Sequence, residues 1–245
     1  MSRKPLTPQP NPSNKRNLMI VGLIAAVAVI AAVLIIISSS DNKTAPAAAA
    51  NAPVKGVAET KAMLKGIPQQ GNALGKANAP ITMIEFADYQ CPFCRDYALS
   101  TMPVLINDYV RTGKLRMEFQ TLSFVGPDSK TAAQAGAAAG KQNLEWNYSQ
   151  LFYFNQGQEK SGYVTDAFIN KLYTAAGVNA SQANAYRKTA ASALPLTEAE
   201  AMAQKYGVSS TPSFVIGNTG GPYTKLEVEI SNADAFKAAF DSLLK

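Results

Sequence analysis

The stretch Ile81 to Arg95, ITMIEFADYQCPFCR, constrains the fold of this 245-residue chain more than any other. Ile81 to Ala87 is an apolar run with one acid in it, Glu85, and reads as a buried strand. Asp88-Tyr89-Gln90 turns the chain, and Cys91-Pro92-Phe93-Cys94 opens a segment with helical spacing. Cys91 therefore stands where a strand hands over to a helix N-terminus. Unpaired N–H groups and the helix dipole favour a thiolate there. Pro92 suits the first helical turn, because its missing N–H would have no intrahelical partner.

These two cysteines are the only ones in the chain, and there is no histidine. A zinc ribbon needs a second pair of ligands, and a covalent haem site needs His directly after Cys94, where Arg95 stands. No metal and no separate cofactor is expected. A static disulfide would close a very small loop and gain little entropy, so redox chemistry is the favoured reading. The net charge of +6 is concentrated in residues 1–17, where Arg3, Lys4, Lys15 and Arg16 face no acid. The rest shows no basic cluster of the kind nucleic acid requires, and that partner class is set aside.

Residues 1–17 read as a disordered cytoplasmic tail. Leu18 to Ile37 is twenty residues without charge, long enough to span the hydrocarbon core of about 30 Å. A cleaved secretory signal is the alternative, but its apolar region is shorter, about 7–15 residues. Lys15 and Arg16 on the near side put the N-terminus in the cytoplasm and everything after Ser38 outside. Residues 38–67 read as an extracytoplasmic linker with a weakly helical piece at Val57 to Leu64, and the folded domain as 68–245.

After the cysteines a helix runs to Val110 with Pro103 inside it, where a kink is expected. Leu115 to Phe124 alternates as a second strand. A helical block occupies about 127–206. Val208 to Ile216 and Tyr223 to Ile230 return to strand, and Asn232 to Leu244 closes as an amphipathic helix. Trp146, Tyr148, Phe152, Tyr153 and Phe154 read as packing rather than as a binding face. Three Asn-x-Ser/Thr matches, at Asn42, Asn147 and Asn179, carry weight only in a glycosylating pathway.

FADYQCPFCRDY, the helical block, and SSTPSFVIG followed by a strand and a last helix resemble the DsbA-like thiol:disulfide oxidoreductases of the thioredoxin superfamily. The resemblance covers about residues 68–245. It implies an α/β, thioredoxin-like fold with an inserted helical domain, here preceded by a single transmembrane helix. It also implies catalysis by Cys91 as nucleophile and Cys94 as resolving thiol, with Pro212 as a cis-proline facing them. An ordinary trans proline at a strand start is the alternative for Pro212. Thr211, Pro212, Pro92 and Phe93 are expected to line the substrate site, with the Thr211 backbone pairing an extended substrate. Glu85 matches the family's buried acid and would move a proton to or from Cys94, unless its side of the strand reaches solvent. Family members with Pro-His between the cysteines have an imidazole to stabilise the thiolate. Phe93 supplies none, so a less oxidising pair is expected.

The expectation is a single-pass cell-membrane protein whose extracytoplasmic domain donates the Cys91–Cys94 disulfide to unfolded exported proteins. The resemblance implies a DsbB- or VKOR-type quinone-linked membrane reoxidant. A disulfide reductase or isomerase of the same fold is the runner-up. A non-catalytic anchored binding module with a static disulfide is the alternative of another class.

Overall fold

The computed structural model describes residues 53–245, a compact unit running from Pro53 to Lys245. Among the described residues no helix is long and apolar enough to cross a membrane. The expected tail and the anchor, Leu18 to Ile37, lie outside the described residues, as do Asn42 and the first part of the expected linker.

A six-stranded mixed sheet runs in the order β1-β2-β4-β3-β5-β6, with β1 Gln69–Gln70, β2 Ala73–Leu74, β3 Ile81–Ala87, β4 Leu115–Thr121, β5 Ser213–Asn218 and β6 Thr224–Leu226. Central β3 pairs parallel with β4 and antiparallel with β5, and all seven of its residues are buried. That double burial is why its sequence is a nearly unbroken apolar run rather than an alternation. Edge-ward β4 alternates instead, with every second residue buried. Successive residues of β3 point to opposite faces. Met83 and Ala87 join the larger core, whereas Ile84 and Phe86 join a smaller one with Leu122, Ala199, Ala203 and Val215.

Helix α1 is Val57–Leu64, and α2 is Pro92–Leu105. Helix α2 continues through Pro103 and widens into a π-helical turn at Ile106–Val110, the local distortion its missing N–H invites. The helical block comprises α3 Pro127–Gly140, α4 Glu145–Phe154, α5 Asp166–Ala176, α6 Ala180–Arg187 and α7 Leu194–Lys205. It matches the expected insertion, and α8 Ala233–Leu243 closes the chain. The expected strand over Tyr223 to Ile230 is only Thr224–Leu226, because β6 is an edge strand with a single partner, β5. Likewise β4 stops at Thr121, three residues short of the expected end.

The linker boundary needs correction. Residues 53–67 belong to the folded unit, because α1 is fastened to it at both ends. Lys55 exchanges two 3.0 Å hydrogen bonds with the Asn155 side chain. Arg111 donates to the carbonyls of Met63 and Lys65, and Leu64 and Ile67 are buried in the core. Gly56, at φ 78°, is where α1 meets Phe154: a Cβ there would lie 2.1 Å from that ring. One weakly periodic helix in an Ala/Pro-rich stretch carries no sign of these long-range partners.

Candidate active site

The turn before the cysteines is built from three side chains with separate anchors. Asp88 Oδ1 accepts from the N–H of Gln90, an Asx turn, while its Oδ2 accepts from the N–H groups of Phe124 and Val125. This clamp ends β4 early by diverting residues 122–126. Tyr89 is fully buried, with its hydroxyl 2.7 Å from Ser149 Oγ and its ring against Phe119, Tyr148, Phe152 and Tyr153. Gly136 makes room for it, since a Cβ there would lie 2.2 Å from the hydroxyl. Gln90 donates to Ser129 Oγ and accepts from the N–H of Lys160. The expected packing aromatics Trp146, Tyr148, Phe152 and Tyr153 are all buried; their ring cluster receives Tyr89.

Cys91 is the N-cap residue of α2, with Pro92 at the first position. Its N–H donates to Asp88 O, and its carbonyl accepts the first helical hydrogen bond, from Arg95. Both thiols are free. Cys94 is wholly buried, and Cys91, although it stands at the helix start, is not exposed either: only 5% of its surface is accessible. The reason is tertiary. The loop before β5 leans over the sulfur, and Cys91 Sγ donates to Thr211 O at 3.3 Å. The Thr211–Pro212 bond is cis, the expected isomer. Phe93, 62% exposed, and Pro92 form the solvent-facing part of the motif.

The two sulfurs are electrically unequal. The Cys91 thiol is lowered from 9.0 to about 6, first by a hydrogen bond from the Cys94 thiol. The N–H groups of Cys94 and Phe93 and the Thr211 side chain also lower it, against the opposing effect of burial. Cys94 is pushed well up by its burial and then by its bond to Cys91. Donors at Cys91 Sγ thus come from the helix start and the proline loop, with no imidazole needed. Replacing Thr211 by Val keeps the shape and the carbonyl but removes the hydroxyl. Cys91 alkylation at pH 6 is expected to slow about two- to fivefold, with its pH midpoint shifted upward.

Glu85 lies on β3 between Phe119 of β4 and Phe214 of β5, on the sheet face that α2 covers. It is fully buried, so the solvent-facing alternative is overturned. Neither carboxylate oxygen has a hydrogen-bond partner, and burial raises its pKa from 4.5 to about 8. It is close enough to Cys94 to oppose that thiol's ionisation. Tyr97, one turn after Cys94 on α2, is also buried with an unpartnered hydroxyl. Among the described residues no cluster of three or more His, Cys, Asp and Glu could hold a metal ion.

Asp88, Tyr89 and Gln90 form the expected turn, but their long-range anchors, and the buried Tyr97, could not be read from the sequence. An acid two residues before Gln90 does carry the Asx-turn signal, but the reach of Asp88 to residues 124–125 has no local trace.

The family profile described as thioredoxin matches residues 69–225. The chain belongs to the thioredoxin family. Probable disulfide bond formation protein D of Bacillus cereus is 28% identical over 180 residues, 71% of this chain and 78% of that protein. Disulfide bond formation protein D of Bacillus subtilis is 29% identical over 111 residues, and the match spans only 48% of it. Among solved structures, oxidised BdbD from Bacillus subtilis superposes with a TM-score of 0.64 at 20% identity, covering 73% of this chain and 97% of that one. Wolbachia pipientis alpha-DsbA1 gives 0.61 at 20% identity, covering 74% and 92%. The fold is therefore DsbA-like, thioredoxin-fold with a helical insertion. This family member is a thiol:disulfide oxidoreductase, and the Cys91–Cys94 dithiol at the start of α2 is its candidate centre.

Proposed function

We propose that this oxidoreductase is a disulfide donor to exported proteins, held at the outer side of the cell membrane by residues 18–37. The observation that carries the direction of the reaction is the ring of donors at Cys91 Sγ: the Cys94 thiol and N–H, the Phe93 N–H and the Thr211 side chain. Groups that favour the thiolate stabilise the reduced pair, and a stabilised reduced pair makes its disulfide an oxidant. The disulfide-formation names of the Bacillus relatives support the same direction.

In the proposed reaction a thiolate of an unfolded substrate attacks Cys91 Sγ of the disulfide. The Cys91–Cys94 bond breaks, a mixed disulfide forms at Cys91, and Cys94 leaves as a thiolate. Buried Cys94 cannot hold that charge, and protonated Glu85 supplies the proton. A second substrate thiolate attacks the substrate sulfur of the mixed disulfide and releases Cys91 as a thiolate. The substrate dithiol is oxidised by two electrons and the enzyme pair is reduced by two. No cofactor beyond the cysteine pair takes part. Phe93 and Phe124, 62% and 52% exposed on segments tied to Asp88, offer apolar side chains to an unfolded chain, while Thr211 offers backbone for strand addition. Recharging is assigned to a quinone-linked membrane protein of the DsbB or VKOR type, which the tether would keep near.

The test is the equilibrium reduction potential of the Pro53–Lys245 unit against glutathione buffers. A value towards the roughly −120 mV of a strong donor is expected. A value near the roughly −270 mV of thioredoxin would sink the donor reading and favour a reductase or isomerase.

A further inference from the structure

The segment that leaves α4 touches the redox turn through the Gln156 side chain and the Lys160 N–H. Gln156 Nε2 donates to Tyr89 O at 2.8 Å and to Cys91 O at 3.1 Å. It thereby spans the two carbonyls on either side of Gln90. The rest of its loop is fixed by two further bonds, Lys160 N–H on Gln90 Oε1 in the same turn and Gly162 N–H on Asp128 Oδ2 outside it. Gln156 is thus held in place by a loop with its own anchors, and its amide is aimed at the motif.

Each carbonyl belongs to a peptide unit that matters for the sulfur. The Tyr89–Gln90 unit is held at its N–H by Asp88 Oδ1 and at its carbonyl by Gln156. The Cys91 carbonyl is shared between Gln156 and the Arg95 N–H that starts α2. Two consequences follow for a charge on Cys91. Locked peptide planes keep the Phe93 and Cys94 N–H groups converging on Sγ. The amide dipole also offsets the negative ends of two carbonyls beside the thiolate. The motif has no group of its own for this, because Phe93 is apolar and points to solvent.

We propose that Gln156 is a positioning residue for the Cys91 thiolate, by which the helical insertion does from outside the motif what an imidazole between the cysteines would do from within. The proposal rests on the exchange reading above. It assigns part of the oxidising power to the insertion rather than to the four-residue motif.

The test uses the full chain, reduced and in detergent, with Gln156→Leu, Gln156→Glu and Gln156→Arg. The rate of Cys91 alkylation by iodoacetamide is followed against pH beside the glutathione equilibrium and the urea midpoint. Gln156→Leu is expected to slow alkylation at pH 6 about threefold to tenfold, the range of one lost hydrogen bond. Gln156→Glu is expected to slow it further, because a carboxylate cannot donate and adds like charge. Gln156→Arg retains donors and is expected to restore the wild-type rate. Where Gln156→Leu fails to fold, the contrast between Glu and Arg carries the test. Variants that lose stability yet keep the wild-type pH midpoint would show a merely structural role and overturn the proposal. A wild-type midpoint near the roughly 8.5 of an ordinary thiol would instead bring down the exchange reading itself, and this proposal with it.

Discussion

Cys91→Ser is expected to abolish dithiol oxidation, a loss on the order of 10³-fold or more, as removal of a nucleophile does. Cys94→Ser is expected to behave differently. Cys91 then has no resolving partner, so mixed disulfides with substrate or glutathione should accumulate and be visible by mass. The asymmetry follows from the placement of the two sulfurs: Cys91 at the N-cap under Thr211, Cys94 wholly buried. The pH dependence has a definite sign. In the reduced protein the Cys91 pKa is depressed from 9.0 to about 6, so the charged form is favoured by folding. The stabilisation of the reduced state is complete above pH 9 and is lost as pH falls through about 6. Alkylation of Cys91 should therefore follow a midpoint near 6 and fail to label Cys94 in the folded protein. Rapid labelling of Cys94 instead would mean that the buried sulfur is the nucleophile.

Glu85→Leu is expected to stabilise the protein and to slow it. Two unpartnered carboxyl oxygens in a fully buried strand cost stability, and an apolar side chain removes that cost. The gain should be about 1–3 kcal/mol. Because the folded pKa is raised from 4.5 to about 8, the native state holds a proton that the unfolded state has released across that window. Wild-type stability from this group is thus full below pH 4.5 and falls as pH rises to about 8. The variant's advantage, read from urea unfolding of the reduced forms, should be larger at pH 9 than at pH 5. Glu145 is buried and shifted in the same direction, but it is common to both proteins and cancels in the difference. The same substitution removes the proposed proton source for Cys94 and should slow oxidation of a dithiol peptide by about 10²-fold. A variant no more stable at pH 9 would mean that the carboxyl finds a partner in solution. Unchanged turnover would remove Glu85 from the reaction.

Much of this fold could be read along the chain. Ile81–Ala87 is nearly all apolar because β3 is buried on both faces, and Leu115–Thr121 alternates because β4 is buried on one face and half-buried on the other. The helical block announced itself through period and through breaks at Gly157 to Gly162, Gly177 and Pro195. Missed were the role of α1 and the short hairpin Gln69–Gln70 and Ala73–Leu74, which extends the sheet beyond β4. Two-residue strands leave no periodicity, and α1 is held by backbone partners such as Lys65 O on Arg111 rather than by a marked apolar face.

What the sequence determined by itself was the chemistry: two cysteines three apart between a strand and a helix, Pro92 at the first helical position, and a Thr-Pro before a later strand. Those are local properties, fixed by spacing and by backbone limits on proline. What only the tertiary structure decided was how that chemistry is tuned. The depth of Cys91, its contact with Thr211 120 residues away, the full burial of Glu85, and the grip of Asp88, Tyr89, Gln90 and Gln156 all join distant parts of the chain. The acidity of a thiol depends on the few donors within hydrogen-bond reach, and these are brought there by packing, not by neighbourhood in sequence.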